Sequence, residues 1–287
     1  MTKHGIYPGS DWNGSNVGSY ALNAADIESH VGRTFALQRF YRTWPDVGIS
    51  KVEQDMVAKG RTPYVEIAPA ARADSNWAVV ASGAADAYIH AQAKCYRDWW
   101  NTLATKPAPK FYFVFQHEPD TDTGNGTPAE FRAAYKYWTD IWRAEAVPCI
   151  YVANQTMSAL RASYTKWMPD LSTFDLLGVD GYNKGPVAGA KWRKFEALFQ
   201  VGHDIAAKLG KPLCIGEVGC AENPNDANGP YSKAQWYTDE GTTLVAWQTV
   251  AFVSHTHFPG KADYRVSTSQ ASAAAFTALG HSAVLSA

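Results

Sequence analysis

The sequence predicts a single (β/α)8 barrel, in which eight parallel strands alternate with helices. Eight short runs of β-forming residues recur along the 287 residues, roughly one every 36, which matches the length of a βα unit. No linker rich in Pro, Gly or Ser separates them. Length alone would suggest two domains of about 150 residues. The regular spacing favours one domain over residues 1–287 instead.

The predicted strands are apolar at both odd and even positions. The eight runs are His4–Tyr7, Phe35–Tyr41, Pro63–Ile67, Phe111–His117, Val147–Ala153, Phe174–Asp180, Pro212–Glu217 and Thr249–Ser254. Residues 111–115, for example, read Phe-Tyr-Phe-Val-Phe. This pattern is typical of strands that are covered by helices on one face and by a packed barrel interior on the other.

Helix start signals follow several of these strands. Ser50 and Glu53 form a capping box, and so do Thr127 and Glu130, which enclose a Pro suited to the first helical position. Ser232 opens a third helix in a similar way. These signals predict helices between the strands, as a barrel requires.

Aromatic residues make up 13% of the chain, and many fall at helical spacing. One stripe consists of Phe131, Tyr135, Trp138 and Trp142, and a second of Trp192, Phe195, Phe199 and Gly202. Stripes of this kind favour packing of helices against the barrel over platforms for sugar rings.

Composition excludes several classes of protein. A net charge of −1 argues against a nucleic-acid binder, which should carry a basic face. No apolar window of about 18 residues predicts a transmembrane helix, and no export signal is visible at the start of the sequence. The four cysteines lack metal-binding spacing, which leaves either buried free thiols or one disulfide.

Two carboxylates end predicted strands that are otherwise almost entirely apolar. Glu118 follows the fourth run, and Glu217 ends the seventh. A carboxylate is costly at such a position unless it is paired or used. By strand alternation Glu118 shares a face with Gln116, and Glu217 shares one with Ile215. If both faces point inward, the two carboxylates line the same pocket.

Two facing carboxylates suit the cleavage of a glycosidic bond. One donates a proton to the leaving oxygen, and the other meets the positive charge that develops on the sugar. Spacing alone leaves an alternative, in which two unrelated strand-end carboxylates each form a salt bridge.

Four motifs, two of which contain these glutamates, follow one another in a consistent order. They are His117-Glu118, residues 178–183 (Gly-Val-Asp-Gly-Tyr-Asn), residues 211–219 (Lys-Pro through Gly-Glu-Val-Gly) and residues 262–269 (Ala-Asp-Tyr-Arg-Val-Ser-Thr-Ser). The helix that begins at Thr127 fits the same pattern. Together these motifs resemble glycoside hydrolase family 26, the β-mannanase family of clan A, over nearly the whole chain.

The resemblance implies roles for particular residues. Glu118 corresponds to the general acid/base and Glu217 to the nucleophile. His117 would bind near the sugar or the nucleophile, and Tyr182 would hold Glu217 ionised, although each could instead be structural. Arg39 has either a similar electrostatic role or a place in a buried salt bridge. Four other residues near strand ends are candidates for substrate binding: Glu66, Asp180, Asn183 and His255.

The sequence also departs from the family at three strand ends. Mannanases of this family carry a Trp soon after the His-Glu pair, whereas residues 119–126 contain no aromatic side chain. Their His at the third strand end and their Trp at the eighth are also missing. Losing a stacking platform alters the affinity for a sugar. We therefore expect a β-linked polysaccharide, either mannan or a related cell-wall glycan.

The mechanism of this clan needs no cofactor, and none is expected. His255, His257 and Asp263 offer two or three metal-binding groups, but their spacing does not place a complete ligand set. The expected partner is a poly- or oligosaccharide bound by a monomer, with no nucleic acid or membrane, and the expected location is extracellular, virion or cell wall. The alternative is a glycan-binding phage-tail or cell-wall protein whose barrel site is weakened or inactive.

Overall fold

The computed structural model describes residues 1–9, 20–44, 47–69, 75–107, 110–185, 190–260 and 262–286. The strands are β1 (Thr2–Tyr7), β2 (Leu37–Thr43), β3 (Thr62–Ala68), β4 (Phe111–Phe115), β5 (Cys149–Thr156), β6 (Leu176–Asn183), β7 (Leu213–Cys220), β8 (Val250–Thr256) and the short β9 (Leu285–Ser286). The helices are α1 (Tyr20–Val31), α2 (Lys51–Ala58), α3 (Trp77–Ala81), α4 (Asp86–Thr102), α5 (Pro128–Ala144), α6 (Met157–Trp167), α7 (Phe195–Leu209), α8 (Lys233–Ala246) and α9 (Gln270–Gly280).

Eight of the strands form a closed parallel barrel. The sheet order is β2-β3-β4-β5-β6-β7-β8-β1, and β1 also pairs with β2. Strand β1 is parallel to both of these neighbours, with Gly5 opposite Leu37 of β2 and Ser254 of β8. The predicted (β/α)8 fold is confirmed, and each of the eight predicted strands has its counterpart within a few residues.

The chain divides into two compact units. The first unit comprises Met1–Arg39, Val179–Lys208 and Pro212–Ala287, and it contains the paired strands β1, β7 and β8. The second unit comprises Phe40–Gly178 and Leu209–Lys211, and it contains the paired strands β3, β4 and β5. The interpretation of the chain as one domain stays a prediction.

Two strand ends differ from their predicted form. Strand β4 ends at Phe115, because Gln116 and Glu118 adopt positive φ angles of 52° and 46° that no strand can accommodate. The prediction that Glu118 shares a strand face with Gln116 is therefore wrong. Strand β7 continues past Glu217 to Cys220, and its register with β8 shifts between Ile215 and Val218.

The predicted helix caps are present. The Ser50 side chain accepts a hydrogen bond from the Glu53 backbone N–H, and the Glu53 carboxylate accepts one from the Ser50 N–H, which completes the capping box. Thr127 and Glu130 form the same arrangement at the start of α5. Ser232 caps α8. Local sequence therefore sets where these helices begin.

The stripe from Phe131 to Trp142 packs inward as predicted. All four of its aromatic side chains are at most 2% exposed, and Trp142 stacks on Phe113 of β4 with the ring centroids 4.1 Å apart. The second stripe is only partly as predicted. Phe195 and Phe199 are buried in α7, but Trp192 lies before the helix begins. Most of the aromatic surplus therefore stabilises the contact between helices and barrel.

All four cysteines are free thiols, which decides between the two alternatives left by the sequence. Burial raises the pKa of the Cys149 thiol to about 12, so that this group stays protonated. Within the described ranges, no helix combines the length and the apolar character needed to cross a membrane.

Candidate active site

Glu217 lies in β7 beside the register shift with β8, and its side chain is 11% exposed. Its Oε1 forms an ion pair with Arg39 Nη2 at 3.3 Å. Its Oε2 accepts a hydrogen bond from the Tyr182 hydroxyl. A guanidinium and a phenol donor on the two oxygens both favour the ionised carboxylate. The first unit therefore holds a largely buried carboxylate, each of whose two oxygens contacts a hydrogen-bond donor.

Arg39 connects this carboxylate to a second one. Its Nη1 lies 3.4 Å from Asp180 Oδ1, and the side chains of both residues are completely buried. One guanidinium thus contacts two carboxyl groups. Both roles considered for Arg39 are combined here, since its buried salt bridge is also the electrostatic partner of Glu217.

Tyr182 is held in place by contacts on two sides. Its hydroxyl lies 3.1 Å from Thr256 Oγ1, and its ring packs against Tyr264 with the centroids 4.6 Å apart. Burial, together with the charge of Glu217, raises the pKa of Tyr182 well above its usual value. The phenol therefore stays protonated and remains a donor to the carboxylate.

Gly219 makes the contact between the two tyrosines possible. A Cβ at this position would come within 2.9 Å of both Tyr182 and Tyr264. Sequence reasoning did not identify Thr256, Tyr264 or Gly219 as parts of the site. Only the unusual run Gly216-Glu217-Val218-Gly219, with glycines inside a buried strand, signals a close approach there.

In the second unit, Glu66 and His117 form a pair at neighbouring strand ends. Strands β3 and β4 are in register with Glu66 opposite Val114. Glu66 Oε1 contacts both the backbone N–H of His117, at 3.3 Å, and its Nδ1. The ring of Tyr41 lies 5.4 Å from that of His117. The carboxylate of Glu66 is thus directed at His117.

Glu118 occupies a strained turn after β4. Positive φ angles at residues other than Gly are uncommon, and they cluster where function requires an unusual backbone path. The turn is stabilised by Thr121, whose N–H and hydroxyl each donate to the Glu118 carbonyl at 2.9 Å. Gln116 Nε2 donates to the His117 carbonyl at 3.1 Å. The side chain of Glu118 is partly exposed at the end of this turn.

The loop that follows adds further support to the turn. Asn125 is 2% exposed, and its Nδ2 donates to Asp122 Oδ2 at 2.6 Å. Asp120 accepts a hydrogen bond from the Thr156 hydroxyl at 2.7 Å. Sequence reasoning treated residues 120–127 as a loop and missed these contacts, of which the second depends on Thr156 of β5.

Two of the candidate substrate-binding residues are buried and contact other parts of the protein. Asn183 donates to Cys220 Sγ at 3.4 Å and accepts from the Arg193 N–H at 3.2 Å. It therefore joins the end of β6 to the approach to α7. His255 is 1% exposed, and its Nε2 lies 3.1 Å from Glu240 Oε2 of α8.

His255 faces the helical layer because strand residues alternate between two faces. Its neighbour Thr256 points to Tyr182, whereas the His255 ring packs on Phe276 of α9 at 5.0 Å. The prediction that His255 lines a substrate subsite is corrected accordingly. The structure brings together Arg39, Asp180, Tyr182 and Glu217 in the first unit and Glu66, His117 and Glu118 in the second.

The three residues considered for a metal are engaged separately. His255 is paired with Glu240, and His257 Nδ1 accepts a hydrogen bond from the Val266 N–H at 3.2 Å. Asp263 forms an ion pair with Arg265. Because the three residues contact three different protein groups, they do not form a common ligand set.

The fold is shared with known glycoside hydrolases. A family 26 β-mannanase from Bacteroides ovatus matches 99% of this chain and 90% of its own, with a TM-score of 0.67 and 13% identity. The catalytic domain of a family 26 endo-β-1,4-mannanase from Bacillus sp. JAMB-750 matches 100% of this chain and 87% of its own, with a TM-score of 0.69 and 14% identity.

The chain is also similar in sequence to a curated endoglucanase. Endoglucanase H from Acetivibrio thermocellus is 24% identical over 212 residues, which are 69% of this chain and 22% of that protein. The match thus spans about a fifth of the length of the curated relative. No protein-family model matches the chain. The structural matches confirm the resemblance drawn from the sequence, and they show that the chain has the (β/α)8 fold of the family 26 β-mannanases.

Proposed function

We propose that this chain is a glycoside hydrolase that cleaves a β-linked polysaccharide with retention of configuration. The observation that carries the proposal is Glu217, whose side chain is 11% exposed and whose two carboxylate oxygens contact Arg39 and Tyr182. The proteins that share the fold include mannanases. We also propose that residues 1–287 act as one catalytic domain.

Glu217 is the proposed nucleophile. Nucleophilic attack on a sugar needs an ionised carboxylate that is held in one orientation. Arg39 and Tyr182 provide both conditions through separate oxygens of the carboxylate. Because Arg39 also pairs with Asp180, it stays fixed while the charge of Glu217 changes during the reaction.

Glu118 is the proposed general acid/base. It follows the carboxyl end of β4, whereas Glu217 lies near the carboxyl end of β7. The carboxyl ends of all strands in a (β/α)8 barrel face the same rim, where active sites of this fold are built. Double displacement requires the two carboxyl groups to be about 5–5.5 Å apart.

The proposed reaction has two steps. In the first, Glu118 gives its proton to the glycosidic oxygen while Glu217 attacks the anomeric carbon, and the bond to the leaving sugar breaks. In the second, the Glu118 carboxylate takes a proton from water as the water oxygen attacks the same carbon. The bond to Glu217 then breaks, which restores both residues and retains the configuration.

Replacement of Tyr182 with phenylalanine should lower kcat about 10- to 100-fold. The substitution removes the hydroxyl that donates to Glu217, and a hydrogen bond to a charged group contributes about 1.5–3 kcal/mol. Tyr264→Phe serves as the matched control, because it keeps the ring that packs on Tyr182. The rates are compared under saturating substrate. A Tyr182→Phe enzyme with wild-type kcat would contradict the role assigned to the phenol.

The substrate class is tested by a panel of polymers. Release of reducing ends is measured on mannans, xylans, β-glucans and arabinogalactan, with Glu217→Gln protein as the blank. Retention on the same polymers is measured in parallel. We expect release from at least one of them. Retention without release would identify a glycan-binding protein instead, and neither release nor retention would overturn the proposed substrate class.

The proposed activity needs no cofactor, since both chemical steps use carboxylates of the chain. The substrate is polymeric and lies outside cells. We therefore propose that the protein acts as a monomer in an extracellular, virion or cell-wall setting, with no part for nucleic acid or membrane.

A further inference from the structure

We propose that Glu66 is a positioning residue, which keeps a proton on Nδ1 of His117 and thereby sets how this ring meets a bound sugar. The effect of Glu66 on catalysis, but not the proton position itself, rests on the proposed function. It concerns a residue that the sequence indicated as a direct substrate ligand. The structure gives Glu66 a different role, because its carboxylate is directed to His117.

The geometry makes Glu66 a fixed acceptor. It lies in β3 and is 2% exposed, so that it cannot reach a polymer in solvent. Its Oε1 contacts the backbone N–H of His117 and the Nδ1 of the same residue. Two contacts to one oxygen determine both where the backbone of His117 begins its turn and how its ring is rotated.

The chemistry of the pair determines the proton position. An ionised carboxylate only accepts hydrogen bonds, so that Nδ1 must be the donor. In a neutral imidazole the other nitrogen, Nε2, then carries the lone pair. The His117 side chain is 26% exposed, in contrast to the 2% of Glu66. His117 is therefore the member of the pair that is accessible to a sugar, and Glu66 acts through it.

The proton position is measured by nitrogen-15 NMR of the eight histidines, with His117→Ala used to assign the signal. In the wild-type protein we expect Nδ1 of His117 to carry a proton. Glu66→Met removes the acceptor, and the proton should then move to Nε2. Glu66→Gln keeps an acceptor oxygen and should preserve the wild-type state. A wild-type Nδ1 without a proton, or an unchanged signal in Glu66→Met, would overturn the proposal.

Glu53 supplies the matched control. It is also a completely buried glutamate of the second unit, but it pairs with Arg42 at 3.2 Å and caps α2. Glu53→Gln should lower the melting temperature and leave the His117 signal unchanged. If Glu66→Met does not fold, Glu66→Ala removes the same acceptor with a smaller side chain, and the wild-type spectrum alone still decides the proton position.

A double-mutant cycle tests the consequence for catalysis. By analogy with other partners that orient a histidine, Glu66→Met should lower kcat/KM about 10- to 100-fold. In the His117→Ala background the same change should cost less than about threefold, since its effect passes through His117. Equal losses in both backgrounds would refute a positioning role. The NMR result does not depend on turnover, so that it stands or fails separately from the proposed function.

Discussion

Replacement of Glu217 with glutamine should reduce turnover of the polysaccharide on the order of 10⁴-fold or more, the scale of losing a catalytic nucleophile. Glutamine keeps the volume of the side chain but cannot form the glycosyl-enzyme. The fold should survive the change, because Arg39 keeps Asp180 as a buried counterion. The measurement is kcat of the purified variant on the polymer that the substrate panel identifies.

Glu240→Gln is the matched control for this experiment. Glu240 is also a buried glutamate of the first unit, and it contacts His255 in the helical layer. This variant should retain wild-type kcat per folded molecule. Turnover by Glu217→Gln within tenfold of the wild-type rate would show that Glu217 is not the nucleophile.

Replacement of Glu118 with alanine should give a loss that depends on the leaving group. On the polymer, we expect kcat to fall about 10²- to 10⁴-fold, the usual contribution of a general acid/base. On an aryl glycoside with a strongly acidic phenol, the first step needs no proton donor. The initial burst of phenol should then be reduced less than about tenfold. The burst is followed by absorbance in a stopped-flow instrument.

The second step of this variant offers an internal check. Without the carboxylate to activate water, the glycosyl-enzyme should accumulate, and azide should restore turnover because it needs no base. Glu130→Ala is the control in the same unit, since it removes a carboxylate that caps α5. A Glu118→Ala enzyme that loses equal rate on both kinds of substrate, with no azide effect, would exclude the acid/base assignment.

The barrel was predictable from the sequence because its signals are local. Capping at Ser50 and Thr127 depends on residues three positions apart, and the packing of α5 follows from aromatic side chains at helical spacing. Eight apolar runs at even spacing then allow few arrangements other than a parallel barrel. The end of β4 was not predictable in this way, because positive φ angles at Gln116 and Glu118 depend on contacts made after the chain folds.

The candidate carboxylates stood out from their positions in the sequence, whereas Arg39 and Tyr182 were indicated as partners of Glu217 only through the family resemblance. Glu217 stands out because a carboxylate inside an apolar strand requires an explanation. Its contacts with Arg39 and Tyr182 join residues 178 and 35 positions away, and no periodicity indicates them. His255 shows the opposite error. It lies near a strand end, yet strand alternation directs it toward Glu240 and α8.

By itself, the sequence determined the (β/α)8 architecture, the helix caps and the identity of the two glutamates that we propose for catalysis. Only the tertiary structure decided that Arg39 contacts both Glu217 and Asp180. It also decided that Tyr182 contacts Thr256 and Tyr264. The contact between Glu66 and His117 likewise became visible only in the structure. The physical reason is the separation along the chain of the residues that interact. Helix caps and strand patterns come from interactions between near neighbours in the chain. The charge and orientation of a catalytic carboxylate depend on distant residues, which meet only when the strands pair.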